Sequence, residues 1–271
     1  MNGRSDTKLR IALIAGEASG DHLGAALIDA LVRQAPAREL ELFGVGGPEM
    51  EARGLASCFP MSNIAVMGPI AILRQLPKLL GHLRQAVDFV IERKPDILVI
   101  IDCPEFSHRL ARRVRRRLAD LPIIDYVAPS VWAWRPGRAR AMKAYVDQVM
   151  ALLPFEPEAY ARLGGPPCHY VGHPAAEAGR PDAQRIAALR AELGRMESPV
   201  LAVMPGSRRN ELKRLCNPFG DALAILATSE GELPVIIPTL PHLRSDLEDA
   251  IRHWPLPALI VTDPEDRRCA M

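Results

Sequence analysis

LRIALIAGEASGD, residues 9–21, is an apolar run of strand length that breaks at once into a glycine-rich polar turn. Residues 11–15 are too few for a free-standing helix and too uniformly apolar for a strand with one wet face. They predict a central strand of a parallel sheet, buried on both faces. A ligand site is expected just past Ala15. Gly16 and Gly20 allow a sharp turn and close backbone approach, and Glu17, Ser19 and Asp21 supply polar groups. The periodic run 22–32 predicts a helix whose N-terminus faces the same spot. The glycines at 16, 20 and 24 lack the dinucleotide-binding spacing, and no glycine-lysine-serine phosphate loop follows. The plainer alternative is that Ser19 or Asp21 caps the helix and the glycines only turn the chain.

Outward from this stretch, strand-like and helix-like segments alternate, the pattern of a doubly wound α/β sheet. Residues 39–45 predict a second strand, ended by Gly46-Gly47-Pro48 and a short helix. Residues 64–73, IAVMGPIAIL, carry no charge and lead into a helix over about 69–92, with Leu73, Leu76, Leu80, Leu83 and Val87 at three- and four-residue steps. Residues 97–101 predict a buried strand that stops at Asp102. A helix from Pro104 follows, with Phe106, Leu110, Val114 and Leu118 as its apolar stripe. Strands are predicted at 123–127 and 146–153. Small residues and proline at 172–182 read as a linker. Beyond it come a helix to 193, a strand at 200–204, a turn at 205–208, a helix to about 228, a strand at 234–237, a helix to about 253 and a strand at 258–261. Two domains are expected, 1–173 and 174–271, the first with about six strands and the second with three.

Composition limits what such a chain does. Its 271 residues carry 34 basic and 32 acidic side chains, a net charge of +2, which argues against bulk nucleic-acid binding. The five cysteines are scattered without a CxxC pair, which argues against a disulfide framework or a zinc site. MNGRSDTKLR has no apolar core of its own and does not read as a signal peptide. No run reaches the roughly 18 apolar residues of a spanning helix. A cytoplasmic location is expected.

Four strand ends are chemically unusual: AGEASGDHLGA at 15–25, IDCPEF at 101–106, APSVWAWRPGR at 128–138 and MPGSRRNE at 204–211. Together with LPFEP and the later GHP, in this order, they resemble the lipid-A-disaccharide synthases, inverting glycosyltransferases with two Rossmann-like domains of the GT-B type. The resemblance covers residues 10–271; SVWAWR and the GE-x-SGD turn are its most specific parts. It implies an enzyme that joins a UDP-linked acylated glucosamine to an acylated glucosamine 1-phosphate and releases UDP, without metal or cofactor. It also implies peripheral attachment to the cytoplasmic face of the inner membrane in Gram-negative bacteria, with an acceptor-side first domain and a donor-side second domain. The rival classes are another UDP-sugar enzyme of this architecture, such as an epimerase, and a non-catalytic lipid- or nucleotide-binding module.

Inverting transfer needs a base for the acceptor hydroxyl and positive charge at the departing diphosphate. Asp102, which matches the family's strand-end aspartate, is the expected base. Its alternative role is to cap the helix at Pro104. Glu17 is the second candidate base, or else a turn residue bonding local amides. Gly206 and Ser207 offer backbone amides and a hydroxyl for the diphosphate, and Arg208 a two-pronged donor. Ser130, Trp132, Trp134 and Arg135 are candidates for lining the acceptor; aromatics at i and i+2 share one side of an extended segment. His22 and His173 lack ligand-spaced partners and read as structural. The six arginines between 109 and 117 form a solvated basic face, or one set against an anionic membrane. Ile70, Leu73 and Leu76 form an expected interfacial patch for the acyl chains, with Arg74, Lys78 and Arg84 near lipid phosphates; the alternative is a core helix. Relatives of this kind continue about a hundred residues further, through nucleotide-gripping segments. The 271-residue chain is therefore expected to fold its first domain and show little transferase activity.

Overall fold

The computed structural model describes residues 8–64, 69–176, 180–194, 199–230 and 233–271, with the side chains of 69–75, 175 and 230 left aside. The chain forms two compact units, Met1–Ala178 and Gly179–Met271.

The first unit runs β1 (Lys8–Ala15), α1 (Ala18–Gln34), β2 (Glu39–Val45), α2 (Pro48–Glu51), β3 (Ala56–Ser57), α3 (Pro69–Arg93), β4 (Ile97–Ile101), α4 (Pro104–Arg117), β5 (Ile123–Tyr126), α5 (Gly137–Met142), β6 (Gln148–Ala151), α6 (Glu156–Arg162) and β7 (Cys168–Tyr170). The seven strands make one parallel sheet in the order β3-β2-β1-β4-β5-β6-β7. As the uniformly apolar run at 11–15 requires, β1 lies in the middle, with Ile11, Ala12, Leu13, Ile14 and Ala15 all 2 % exposed or less. Its side chains alternate between two cores. Ile11, Leu13 and Ala15 meet Ala25 and Ile28 of α1, while Ala12 and Ile14 share a cluster with Leu83 and Val87 of α3 and Leu110 and Val114 of α4. Truncating such a side chain, for example Leu13→Ala, costs about 2–5 kcal/mol.

The strand order reverses at β1, whose neighbours are β2 on one side and β4 on the other. Open parallel sheets bind ligands beyond the carboxyl ends of strands at such a point. Here those ends are Gly16 and Asp102. The short edge strands β3 and β7 have two and three residues and left no readable pattern. α1 starts at Ala18, ahead of its periodic apolar run. The apolar stripe of α3 divides: Leu83 and Val87 are core, Leu76 is half-buried, and Leu80 is 44 % exposed. Ile70, Leu73 and Arg74 have side chains outside the described residues.

The second unit comprises α7 (Ala183–Glu192), β8 (Leu201–Ala202), α8 (Arg209–Glu230), β9 (Val235–Pro238), α9 (Arg244–Ala250), β10 (Ala258–Val261) and α10 (Pro264–Cys269). Its three described strands are parallel in the order β10-β9-β8. Val235 and Ile237 pack with Leu212, Leu223 and Leu247, and Ile236 packs on the opposite face with Leu189 and Val261. Arg185 of α7 bonds Asp263 at 2.8 Å and also pairs with Asp266, tying α7 to α10.

Candidate active site

At the end of β4 the chain leaves the sheet through two successive left-handed residues, Asp102 (φ 50°) and Cys103 (φ 47°), before Pro104 opens α4. Non-glycine residues pay for that conformation, and such strain concentrates where a side chain must be aimed. The turn projects the half-buried Asp102 carboxylate across the reversal in strand order, where Ser19 Oγ donates to its Oδ2 at 2.9 Å. Ser107 Oγ holds the turn from below, donating to the carbonyls of Asp102 at 2.7 Å and Cys103 at 3.0 Å. Asp102 does not cap α4: the N-cap position is Cys103, and no side chain caps it.

The glycines of the first turn serve this approach. A Cβ at Gly16 would lie 2.5 Å from Cys103 Sγ, and one at Gly20 would lie 3.2 Å from the Ile101 carbonyl oxygen. They bring the start of α1 against the end of β4. Glu17 takes the N-cap position of α1 without a side-chain cap bond, and its carbonyl accepts from Asp21 N at 3.0 Å. Burial, with a smaller contribution from the Glu17 charge, pushes the Cys103 thiol up to about 12, so it is no nucleophile at neutral pH. Asp21 is 3 % exposed and is occupied elsewhere. Its carboxylate accepts the amides of Gly47 (2.9 Å), Glu49 (3.0 Å) and Met50 (3.1 Å), capping α2, whose own N-cap is a glycine. Neither Ser19 nor Asp21 therefore caps α1.

Asp102 lines a pocket of about 210 Å³ together with His108, Asp125, Ser130, Trp134, Arg135 and Arg138. Its floor is a buried polar chain. Asp125 is 1 % exposed and His108 5 %; His108 Nε2 lies 3.4 Å from Asp125 Oδ2, and His108 Nδ1 lies 3.1 Å from the Tyr145 hydroxyl. Arg112 donates to that hydroxyl at 3.3 Å and lies over the Tyr145 ring. The Asp125–His108 contact is within ion-pair distance but is not aligned as a hydrogen bond, and Asp125 Oδ2 is left without a hydrogen-bond partner. Burial, reinforced by the Asp102 charge and opposed by Arg138, raises the Asp125 carboxyl well above the ordinary range. Burial, with Arg138 and Arg112 adding to it, lowers His108 to about 4. Both shifts favour the uncharged form on the pocket floor.

The mouth of the pocket is basic. Glu105 receives Arg138 at 2.9 Å and Arg135 at 3.5 Å on Oε1, and Arg109 at 3.3 Å on Oε2. Burial works to raise Glu105, but the Arg138 hydrogen bond and the charges of Arg138, Arg109 and Arg135 hold it below the usual carboxylate range. The Arg135 guanidinium stacks 4.3 Å from the Trp134 ring. The expectation that Trp132 and Trp134 share one side of an extended segment is overturned. Residues 130–134 form a turn, with the amides of Ala133 and Trp134 both bonded to the Ser130 carbonyl. Trp134 faces the pocket, whereas Trp132 packs edge-on against Phe155 and donates to Glu156 at 3.3 Å.

In the second unit, Gly206 (φ 120°), Ser207 and Arg208 precede α8. Glu211, one turn into that helix, accepts from Ser207 N at 2.8 Å and Arg208 Nη1 at 3.2 Å. A carboxylate of the chain thus occupies the donors expected to hold phosphate. Sequence reasoning missed His108, Asp125, Arg138, Glu105 and Glu211. Glu105, Arg138 and Glu211 lay inside quoted motifs, and the buried pair carried no spacing signal. Among the described residues, no three His, Cys, Asp or Glu side chains converge as metal ligands would.

The architecture is shared with GT-B glycosyltransferases and epimerases that handle nucleotide sugars. One solved relative in fold is UDP-GlcNAc 2-epimerase from Neisseria meningitidis, bound to UDP-GlcNAc, with a TM-score of 0.59 at 10% identity over 97% of this chain and 74% of that one. Within this class the sequence is decisive. The family model for lipid-A-disaccharide synthetase matches residues 11–262. The chain is 50% identical to the lipid-A-disaccharide synthase of Rhodopseudomonas palustris strain HaA2, over 99% of this chain and 68% of that protein. It is 49% identical to that of Nitrobacter winogradskyi, over 96% and 65%. This chain belongs to the lipid-A-disaccharide synthase family of glycosyltransferases, and spans about two thirds of the length of these relatives.

Proposed function

We propose that the protein transfers an acylated glucosamine from its UDP-linked donor to the hydroxyl of an acylated glucosamine 1-phosphate, releasing UDP. The observation that carries the mechanism is Asp102: a half-buried carboxylate on a strained turn, fixed by Ser19, lining a pocket and capping nothing. This geometry is what a general base requires, and it is not what a capping residue in a non-catalytic binding module shows. Asp102 takes the proton of the acceptor hydroxyl as that oxygen attacks the anomeric carbon; the bond to the UDP oxygen breaks and the configuration inverts. Arg208, Ser207 N and the Ser207 hydroxyl stabilise the charge that gathers on the departing diphosphate, and Glu211 must release them first. The first unit is the acceptor side and the second the donor side. Glu17, beside Cys103, contributes a second negative charge near the turn rather than the base.

The protein works at a membrane surface, on the cytoplasmic face of the inner membrane. Support for that reading comes from α3, where Leu76 and the exposed Leu80 lie close in sequence to the exposed cations Lys78 and Arg84. No described helix is long and apolar enough to cross a membrane. The test is to incubate the protein with labelled donor and acceptor lipid and follow both products. Whatever disaccharide forms is expected to be matched by an equal amount of UDP; conversion of the UDP-sugar without acceptor would make the protein an epimerase-type enzyme instead.

A further inference from the structure

Three guanidinium groups, Arg109, Arg135 and Arg138, converge on the one exposed carboxylate of Glu105. Within these four side chains the positive charges outnumber the negative by two. Two of the three, Arg135 and Arg138, line the pocket that holds Asp102, whereas Glu105 does not line it. The Arg138 side chain is largely buried, 19% exposed, and bonds Glu105 at 2.9 Å; the Arg135 guanidinium lies over the Trp134 ring. A phosphate monoester brings close to two negative charges near pH 7 and several acceptor oxygens, and matches two forked donors with one missing partner. At about 210 Å³ the pocket is smaller than the roughly 300 Å³ of an ordinary ligand site, enough for a polar headgroup and not for acyl chains.

We propose that this pocket is the acceptor subsite: the sugar's phosphate monoester displaces Glu105 from Arg135 and Arg138, with the sugar against Trp134 and its attacking hydroxyl toward Asp102. The assignment rests on the transferase reading. That reading places phosphate and nucleophile on one sugar, and the two groups of the protein that would meet them line one pocket. The diphosphate of the donor is esterified at both ends and has its own proposed donors in the second unit. Glu105 is thus an internal stand-in for phosphate, keeping the arginines aimed when no acceptor is bound.

The experiment titrates the protein with glucosamine 1-phosphate, the water-soluble headgroup, and separately with glucosamine and with UDP, by calorimetry. Glu105→Gln, an exposed and fold-neutral change, is expected to tighten glucosamine 1-phosphate several-fold, and Arg138→Gln to weaken it about tenfold or more. UDP affinity should stay the same in both variants. Unchanged glucosamine 1-phosphate affinity in Glu105→Gln, or equal binding of glucosamine, would overturn the subsite. If wild type forms disaccharide while both variants keep the acceptor KM, the subsite alone falls. If wild type forms none but the phosphate dependence holds, the transferase reading falls and the phosphate site stands.

Discussion

Asp125→Asn and His108→Asn separate two buried titrations that oppose one another. Folded Asp125 keeps its proton because burial and the Asp102 charge raise it, while the unfolded carboxyl loses it above about 4. Folded His108 stays neutral down to about 4, while the unfolded ring takes a proton below about 6.5. The pH slope of unfolding free energy follows the protons bound unfolded minus those bound folded. For Asp125 that difference is negative, so its contribution is full at low pH and is lost as pH rises toward its folded value. For His108 the difference is positive, so its contribution is full above about 6.5 and is lost as pH falls to about 4. Where both operate, the two oppose one another in the wild type. Asp125→Asn leaves the histidine's contribution alone, so the variant's own stability falls on acidification from about 6.5 to about 4, by about 1.4 kcal/mol per pH unit and about 3 kcal/mol in all. His108→Asn uncovers the aspartate and gains on wild type at the same rate per unit. Urea unfolding at pH 4 to 7, followed by Trp132 and Trp134 fluorescence in a Trp254→Phe background, reads the first unit alone. Parallel curves for all three proteins would refute the reasoning, as would a His108 ring found protonated by NMR at pH 6.

Asp21→Ala strips three amide hydrogen bonds from the start of α2 and leaves those amides buried. It should cost about 2–4 kcal/mol in denaturant unfolding, and a silent substitution would remove Asp21 from its structural role. Arg208→Lys keeps the charge but loses the fork, so UDP release should slow at least tenfold with the melting temperature unmoved. Unaltered turnover would withdraw the residue from the diphosphate. Serine at Leu76 and Leu80 should lower cosedimentation with anionic vesicles while the circular dichroism melt stays in place; unfolding instead would make that end of α3 core.

The sheet was legible because its central strands are apolar on both faces. The run at 11–15 has no other comfortable environment, and 97–101 reads equally well for the same reason. The edge strands β3 and β7 were not, since two or three residues give no period and their pairing is set by neighbours far along the chain. Within the candidate site, Asp102 was visible from its place after an apolar strand and in a family motif. Of its neighbours, Ser19, Ser130, Trp134 and Arg135 were named as well, and the buried pair and the clustering around Glu105 were not. Asp125 sits inside the strand sequence IIDY, where a polar residue reads as the wet face of an exposed edge, and only tertiary burial makes it the floor of a pocket. Glu105 and Arg138 are 33 positions apart and meet only because α4 and α5 follow neighbouring strands. The misread tryptophans show the limit of local periodicity: alternation holds for extended chain, and a turn at Ser130 rotates Trp132 away from Trp134.

The central claim is that Asp102 is the base. Asparagine tolerates the left-handed backbone at this position and still accepts from Ser19, but it cannot take a proton. The direct measurement is the disaccharide-forming rate of Asp102→Asn against wild type at saturating donor and acceptor, with unfolding free energies measured in parallel. The account predicts stability within about 1 kcal/mol and a rate lower by about 10² to 10⁴; a variant that keeps the wild-type rate would contradict it.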